Sequence, residues 1–251
     1  MLSISELKKL FRGSRTLVVT GAGLSNAAGI PDYISDGDYQ GPSLFDMCMI
    51  PISRSAFNDL VKHNLPVFQR LAKAKPTKAH KAIDKFVRVN TFAGLASSLW
   101  TQNVDGLHRV IRNRVHEAHG SLLRRRRFLS GEVSKIPRSA FLRLGEQLTS
   151  GKTYKSLAEL FRIYGVGLPD VVFMGQDIQV PSQVFDTAEE VHDVLLLAGT
   201  SGRIGWVQDL ATRFNTTGKL VVHVANESYL TCPSLQYRKE LQQFLPDILA
   251  D

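Results

Sequence analysis

Thr16-Leu-Val-Val-Thr-Gly-Ala-Gly-Leu-Ser-Asn-Ala-Ala-Gly29 is the stretch that decides the fold. Its first five residues are apolar or β-branched, and Gly21-Ala-Gly23 follows at once, as when a buried strand runs into a tight turn. Val194-Leu-Leu-Leu-Ala198 repeats the arrangement, running into Gly199-Thr-Ser-Gly202, and Leu220-Val-Val-His-Val224 stops at Ala225-Asn226. Short, near-continuous apolar runs belong to strands covered on both faces, which is how parallel sheets read. Between them lie apolar residues at helical spacing (Phe57, Leu60, Val61, then Ala79, Ile83, Phe86), punctuated by Pro66 and Pro76. The expected class is α/β, a parallel sheet with helices on both faces. Ligands of such sheets sit beyond the carboxyl ends of the strands, where all three tips collect.

The first tip has a chemistry of its own. Small residues let a backbone approach a pyrophosphate closely, and amide N–H groups at a helix start then meet its charge. The spacing here is G-x-G-x-x-x-x-x-G, which differs from the dehydrogenase G-x-G-x-x-G. Taken alone, the loop is as compatible with a structural turn as with a phosphate site.

Composition sets the outer bounds. At 251 residues and 43% hydrophobic content the chain can bury a good core in roughly one or two domains. No apolar stretch approaches the roughly 20 residues of a membrane span. Lys8, Lys9, Arg12 and Arg15 surround Leu7, Leu10 and Phe11. That pattern suits a first surface helix better than a mitochondrial transit peptide, since Glu6 interrupts it. Cys48 and Cys232 make neither a disulfide framework nor a CxxC metal site. A reducing, intracellular compartment is expected, cytoplasm or nucleus ahead of the mitochondrial matrix.

The net charge of +8 is unevenly placed. Residues 121–168 hold ten Lys and Arg against three acids, which is +7 of the total. This stretch reads as a small basic inserted module with helix-like pieces at Ser139–Leu148 and Ser156–Tyr164. Arg124, Arg125, Arg126 and Arg127 would attract an anionic partner, nucleic acid or an acidic protein face; a solvated basic surface is the equal alternative.

Further blocks sharpen the reading. Gly29-Ile-Pro-Asp-Tyr33 continues the first tip with a rigid turn, an acid and an aromatic. Then come Pro76-Thr-Lys-Ala-His80, Thr101-Gln-Asn-Val-Asp-Gly-Leu-His108, His119-Gly-Ser121, Pro169-Asp-Val-Val-Phe-Met-Gly175, Gly199-Thr-Ser201 and Val224-Ala-Asn226. In this order the blocks resemble the sirtuin family across about residues 15 to 230: GAGxSxxxGIPDF, PxxxH, TQNIDGLH, HG-S/T, PxVVFFGE, GTS and IN. The resemblance implies a Rossmann-like domain made of residues 1–120 and 169–251, with 121–168 in place of the family's zinc ribbon.

The resemblance also implies roles. Gly21, Ala22 and Gly23 would contact the pyrophosphate of NAD, and Asp32 and Tyr33 would border its nicotinamide side. Gln102 would hold a ribose hydroxyl. Asn103 and Asp105 would form the pocket for nicotinamide and its ribose. Gly199, Thr200 and Ser201 would take phosphate and the adenosine ribose, and Asn226 the adenosine. His119 would be the base that removes a proton from a ribose hydroxyl, a task for a group titrating near neutrality. Val171, Val172 and Phe173 would pair with an extended acyl-lysine peptide by strand addition. The activity implied is NAD-dependent protein-lysine deacylation, giving nicotinamide, O-acyl-ADP-ribose and free lysine. The rival readings are mono-ADP-ribosyl transfer or NAD hydrolysis in the same pocket, and a non-catalytic NAD or ADP-ribose module.

Three positions depart from the family pattern. Residues 121–168 contain no Cys and no His, so no structural zinc is expected. His116-Glu-Ala-His119 does not restore a metal site, because its histidines are three apart and not four. The family's arginine after the Asp-Phe pair is Ile34, which lacks the donors that would hold the cofactor's polar groups. The usual FGE is Met174-Gly-Gln176, which alters the acyl-lysine channel.

Overall fold

The computed structural model describes residues 1–30, 70–108, 115–127, 129–142, 163, 167–172 and 176–250. Asp32, Tyr33, Ile34, Phe173 and Met174 therefore lie outside the described residues, as does most of 143–166.

Two sheets carry the architecture. Six parallel strands are β1 (Thr16–Thr20), β2 (Ser98–Thr101), β3 (Val115–Glu117), β7 (Val194–Ala198), β8 (Leu220–Val224) and β9 (Leu235–Tyr237), in the order β3-β2-β1-β7-β8-β9. A smaller antiparallel sheet holds β4 (Gly120–Arg127), β5 (Val133–Lys135) and β6 (Gly167–Val171), in the order β5-β4-β6. The chain builds outward from β1 to β2 and β3, then crosses to β7 on the other side of β1. The strand order thus reverses between β1 and β7, and their carboxyl ends open a crevice.

Alternation along the strands explains how both faces are covered. Val18, Leu99, Leu196 and Val222 face one core, packed by Leu7 and Phe11 of α1 (Ile4–Arg12), Ile83 and Phe86 of α2 (Lys78–Phe92), and Leu245 and Ile248 of α6 (Leu241–Leu249). Leu17, Val19, Trp100, Leu195, Leu197 and Val221 face the other. There α3 (Ser182–Asp186), α4 (Ala188–Val191) and α5 (Gly205–Thr216) supply Phe185, Ala188, Val207, Leu210 and Phe214. The basic amphipathic N-terminal segment is α1: Ser3 and Glu6 form a reciprocal capping box, and Leu7 and Phe11 are buried.

A third cluster joins the small sheet to the crevice side through Val104, Leu107, Leu122, Ile136, Phe141 and Val171. Its four consecutive arginines lie on β4. The expected helix beginning at Ser139 is, over its described residues, a 3-10 turn, Arg138–Phe141. The strand persists because its charge is neutralised by residues far along the chain. The buried Asp170 carboxylate accepts from Arg124 at 2.8 Å and Arg126 at 2.7 Å, Glu117 also holds Arg124, and Arg125 donates to Ser134. Arg126 and Arg127 keep about half of their side-chain surface in solvent, at 51% and 54%.

Candidate active site

The crevice begins as two backbone turns pressed together. Gly21 donates to the Ala198 carbonyl at 3.0 Å, Gly23 to the Gly199 carbonyl at 2.9 Å, and Gly199 to the Val224 carbonyl at 2.9 Å. A side chain has no room here: a Cβ on Gly21 would lie 2.7 Å from Thr200 Cβ and 2.8 Å from the Gly199 carbonyl. Gly199 adds a left-handed φ of 69°. The two tips therefore form one cradle of closely packed backbone. Thr200 is buried, with its hydroxyl accepting from the Gly202 amide, while Asn226 stands exposed past β8. His223, buried beneath, bonds the Thr200 carbonyl through Nε2 at 2.7 Å.

On the other side of the crevice, the chain leaving β2 turns inward. Asn103 Nδ2 donates to the Gly21 carbonyl and to Ser25 Oγ, both at 3.0 Å. Ser25 in turn donates to Asp105 Oδ2 at 2.6 Å, and Asp105 Oδ1 accepts from the Leu107 amide at 2.8 Å. Asn103 and Asp105 are 9% and 5% exposed, so these bonds replace solvent for both side chains. Arg138 from the small sheet's side donates to the Asp105 carbonyl, tying the module to the pocket floor. Removing the Ser25 hydroxyl strips one donor from a buried carboxylate. Ser25→Ala should therefore destabilise the fold by about 2 kcal/mol, read as a fall in Tm of roughly 4–8 °C; an unchanged Tm would mean that Asp105 finds another donor.

Beneath this floor sit two imidazoles. His80 and His108 rings are 4.7 Å apart; His80 Nδ1 bonds Thr77 at 2.7 Å, and His108 spans Asp84 at 2.7 Å and Thr20 at 3.2 Å. Burial, and then the neighbouring His108, push His80 down to about 3 from an ordinary value of 6.5. Burial also lowers His116, His119, His192 and His223. Between about pH 6.5 and 3 the unfolded chain binds protons on these groups that the folded chain refuses. Stability is thus fully present above about 6.5 and declines as pH falls. Thermal melts at pH 7.5, 6.5 and 5.5 should show a falling midpoint; a flat profile would contradict a buried, neutral His80.

His119 sits where the two sheets meet. Ala118 donates to the Thr101 carbonyl, and Gly120, at φ 78°, swings the chain into β4. Burial lowers the imidazole's pKa, and a hydrogen bond to the Gln102 backbone carbonyl works against that. Nε2 accepts from Trp206 Nε1 at 3.1 Å. The His119 carbonyl accepts from the Val172 amide at 2.9 Å, so antiparallel alternation turns the peptide groups of Val171 to the opposite edge of β6. Among the described strands that edge has no partner. The side chain of Val171 is buried in the third core cluster.

The structure thus gathers Gly21, Ala22, Gly23, Gln102, Asn103, Asp105, His119, Gly199, Thr200 and Ser201 around one crevice, with Asn226 at its far end. The sequence reading gave Ser25, His80, His108 and Trp206 no role. The first three stand inside quoted motifs, which was the available signal; nothing local marks Trp206.

A sequence model of the Sir2 family matches residues 21–205, which spans both tips, the inward turn and His119. The chain belongs to the Sir2 family. It is 30% identical over 237 residues to the NAD-dependent protein deacylase of Aeropyrum pernix, covering 90% of this chain and 87% of that one. It is 29% identical over 204 residues to the NAD-dependent protein deacetylase of Thermodesulfovibrio yellowstonii, covering 79% and 74%. It spans 40% of the longer deacetylase sir2A of Dictyostelium discoideum and 58% of mouse sirtuin-3. Among solved structures, a Sir2 complex with a p53 peptide and NAD+ superposes with a TM-score of 0.72 over 99% of this chain and 98% of that one; at 21% identity it attests the sirtuin fold.

Proposed function

We propose that this sirtuin is an NAD-dependent protein-lysine deacylase that releases nicotinamide, O-acyl-ADP-ribose and free lysine. One observation carries the reading. His119 belongs to both halves of the site: its ring meets Trp206, which follows the Gly199-Thr-Ser-Gly202 turn of the crevice, and its backbone carbonyl accepts from Val172 beside the β6 edge that no described strand pairs. A base so placed can reach a nucleotide on one side and a peptide on the other.

The crevice fits NAD on its own geometry. The glycine cradle would lose its space to any Cβ, and Gln102 Nε2 is buried without a hydrogen-bond partner among the described residues, a donor suited to a ligand oxygen. NAD supplies an electrophilic anomeric carbon once nicotinamide departs. Gly21, Ala22, Gly23, Gly199, Thr200 and Ser201 would then hold its phosphates and adenosine ribose, and Asn226 its adenosine. Gln102 would hold a ribose hydroxyl, Asn103 and Asp105 would line the nicotinamide end with Asp32 and Tyr33, and His119 would take the hydroxyl proton. An extended acyl-lysine peptide would add to β6 through Val171, Val172 and Phe173.

Zinc does not fit. Residues 121–168 offer no Cys or His, no group of three or more potential ligands gathers among the described residues, and Asp170 is taken by two arginines. The 121–168 module would hold itself by the Asp170 ion pairs and the packing of Leu122, Ile136 and Phe141. Exhaustive chelation should leave Tm and activity unchanged. Stoichiometric zinc in purified protein, or a chelator-induced fall in Tm, would reverse this.

The deciding experiment is mass spectrometry of the protein incubated with NAD and acetyl-, succinyl- and long-chain-acyl-lysine peptides. O-acyl-ADP-ribose establishes deacylation and names the acyl class. Nicotinamide without that product indicates ADP-ribosyl transfer or NAD hydrolysis. Binding without turnover makes the chain a non-catalytic module.

A further inference from the structure

His119 Nε2 accepts the indole N–H of Trp206 at 3.1 Å. An indole nitrogen only donates, so this contact exists only while Nε2 carries a lone pair. The contact therefore specifies the neutral tautomer, with its one basic site covered.

Trp206 is held from behind. It is the second residue of α5, four residues past Gly202 of the Gly199-Thr-Ser-Gly202 turn, and packs among Phe185 and Trp100 at ring-centroid distances of 6.4 and 6.5 Å. Its ring meets His119 edge-on, 6.0 Å between centroids at 90°. The cradle that would grip phosphate and the residue covering the base are thus a few residues apart on one turn.

We infer that Trp206 is a positioning residue that holds His119 in its accepting tautomer and yields Nε2 to the nucleotide's ribose hydroxyl when NAD or ADP-ribose binds. The inference rests on the deacylase reading for the identity of the incoming hydroxyl. The tautomer rests on the contact alone. The exchange is one donor for another: the indole N–H leaves Nε2 and the hydroxyl O–H takes its place. When that hydroxyl proton passes to Nε2, the nitrogen becomes a donor, and an indole N–H still pointing at it would face another N–H. Trp206 must be displaced for the proton to arrive.

The consequence is measurable. In wild-type protein the Trp206 indole N–H signal, assigned with Trp206→Phe, should shift as His119 titrates, and shift again on adding ADP-ribose. In Trp206→Phe, which keeps a ring and removes the donor, the His119 midpoint should rise by about half to one pH unit. ADP-ribose should bind that variant about three- to tenfold more tightly, because no indole bond has to be given up. Far-ultraviolet circular dichroism and Tm of the variant check its fold, and the wild-type indole signal decides the matter where the variant fails to fold. An indole signal indifferent to pH, or an unmoved His119 midpoint in a folded variant, overturns the tautomer assignment. Equal affinity of wild type and folded variant for ADP-ribose overturns the exchange. ADP-ribose binding to neither protein overturns the functional reading, and the exchange with it, while the pH response of the indole still judges the tautomer.

Discussion

Replacing His119 by alanine should lower the rate of O-acyl-ADP-ribose formation by about two to four orders of magnitude. The size follows from the role of a positioned imidazole that takes a proton in the transition state. Asp105, a buried carboxylate in the pocket floor, is already bonded to Ser25 and the Leu107 amide. Affinity for ADP-ribose should change much less, by about fivefold at most, since one hydrogen bond to a hydroxyl is lost while the glycine cradle is untouched. Single-turnover rates and calorimetric binding separate the two. A His119→Ala protein that keeps a tenth of the wild-type rate would remove the imidazole from the chemistry.

Gly120→Ala should be the most disruptive single substitution in the chain's described turns. Gly120 has a φ of 78°, a left-handed conformation that alanine resists by about 1 kcal/mol or more. A Cβ there would also lie 2.1 Å from the Asp170 carbonyl and 2.9 Å from Val171 Cα. Both neighbours are backbone of a paired strand and cannot swing aside as a side chain could. Together these should cost about 3 kcal/mol or more, seen as a Tm lower by at least roughly 6–12 °C. The damage falls between His119 and β4, so activity should be lost even below the new melting point. A variant as stable as wild type would mean that the β3–β4 turn can adopt another shape.

The strands that were legible are those whose neighbours do not matter. β1, β7 and β8 are buried on both faces, so their residues are apolar whatever packs on them. The N-terminal helix was legible too, because basic residues flank an apolar stripe of Leu7, Leu10 and Phe11 within ten residues; its capping box became visible in the structure. β3, β4 and β5 were not. β3 and β5 are three residues each, and β4 carries four arginines that read as a solvated charge block. Arg124 and Arg126 pair with Asp170, 46 and 44 residues away, and no local pattern announces a partner at that distance.

The site divides in the same way. Gly21, Gln102, Asn103, Asp105, His119 and Gly199 could be named from the sequence because each lies in a short motif at a strand's carboxyl end. Those ends converge by the topology of any parallel sheet. What the motifs could not supply is the set of contacts between them: Ser25 bridging Asn103 and Asp105, Gln102 Nε2 without a partner among the described residues, and the Trp206 indole on His119. Sequence alone pointed to the parallel sheet through its apolar runs, to the family through the resemblance of its ordered motifs, and to a 121–168 stretch without Cys or His. Apolar runs and motifs are local, so they can be read along the chain. Tertiary structure alone decided which nitrogen of His119 is covered, how the arginine strand is neutralised and which edge of β6 has no partner among the described strands. Each of those is a contact between residues far apart in sequence, fixed by burial and hydrogen-bond geometry in three dimensions.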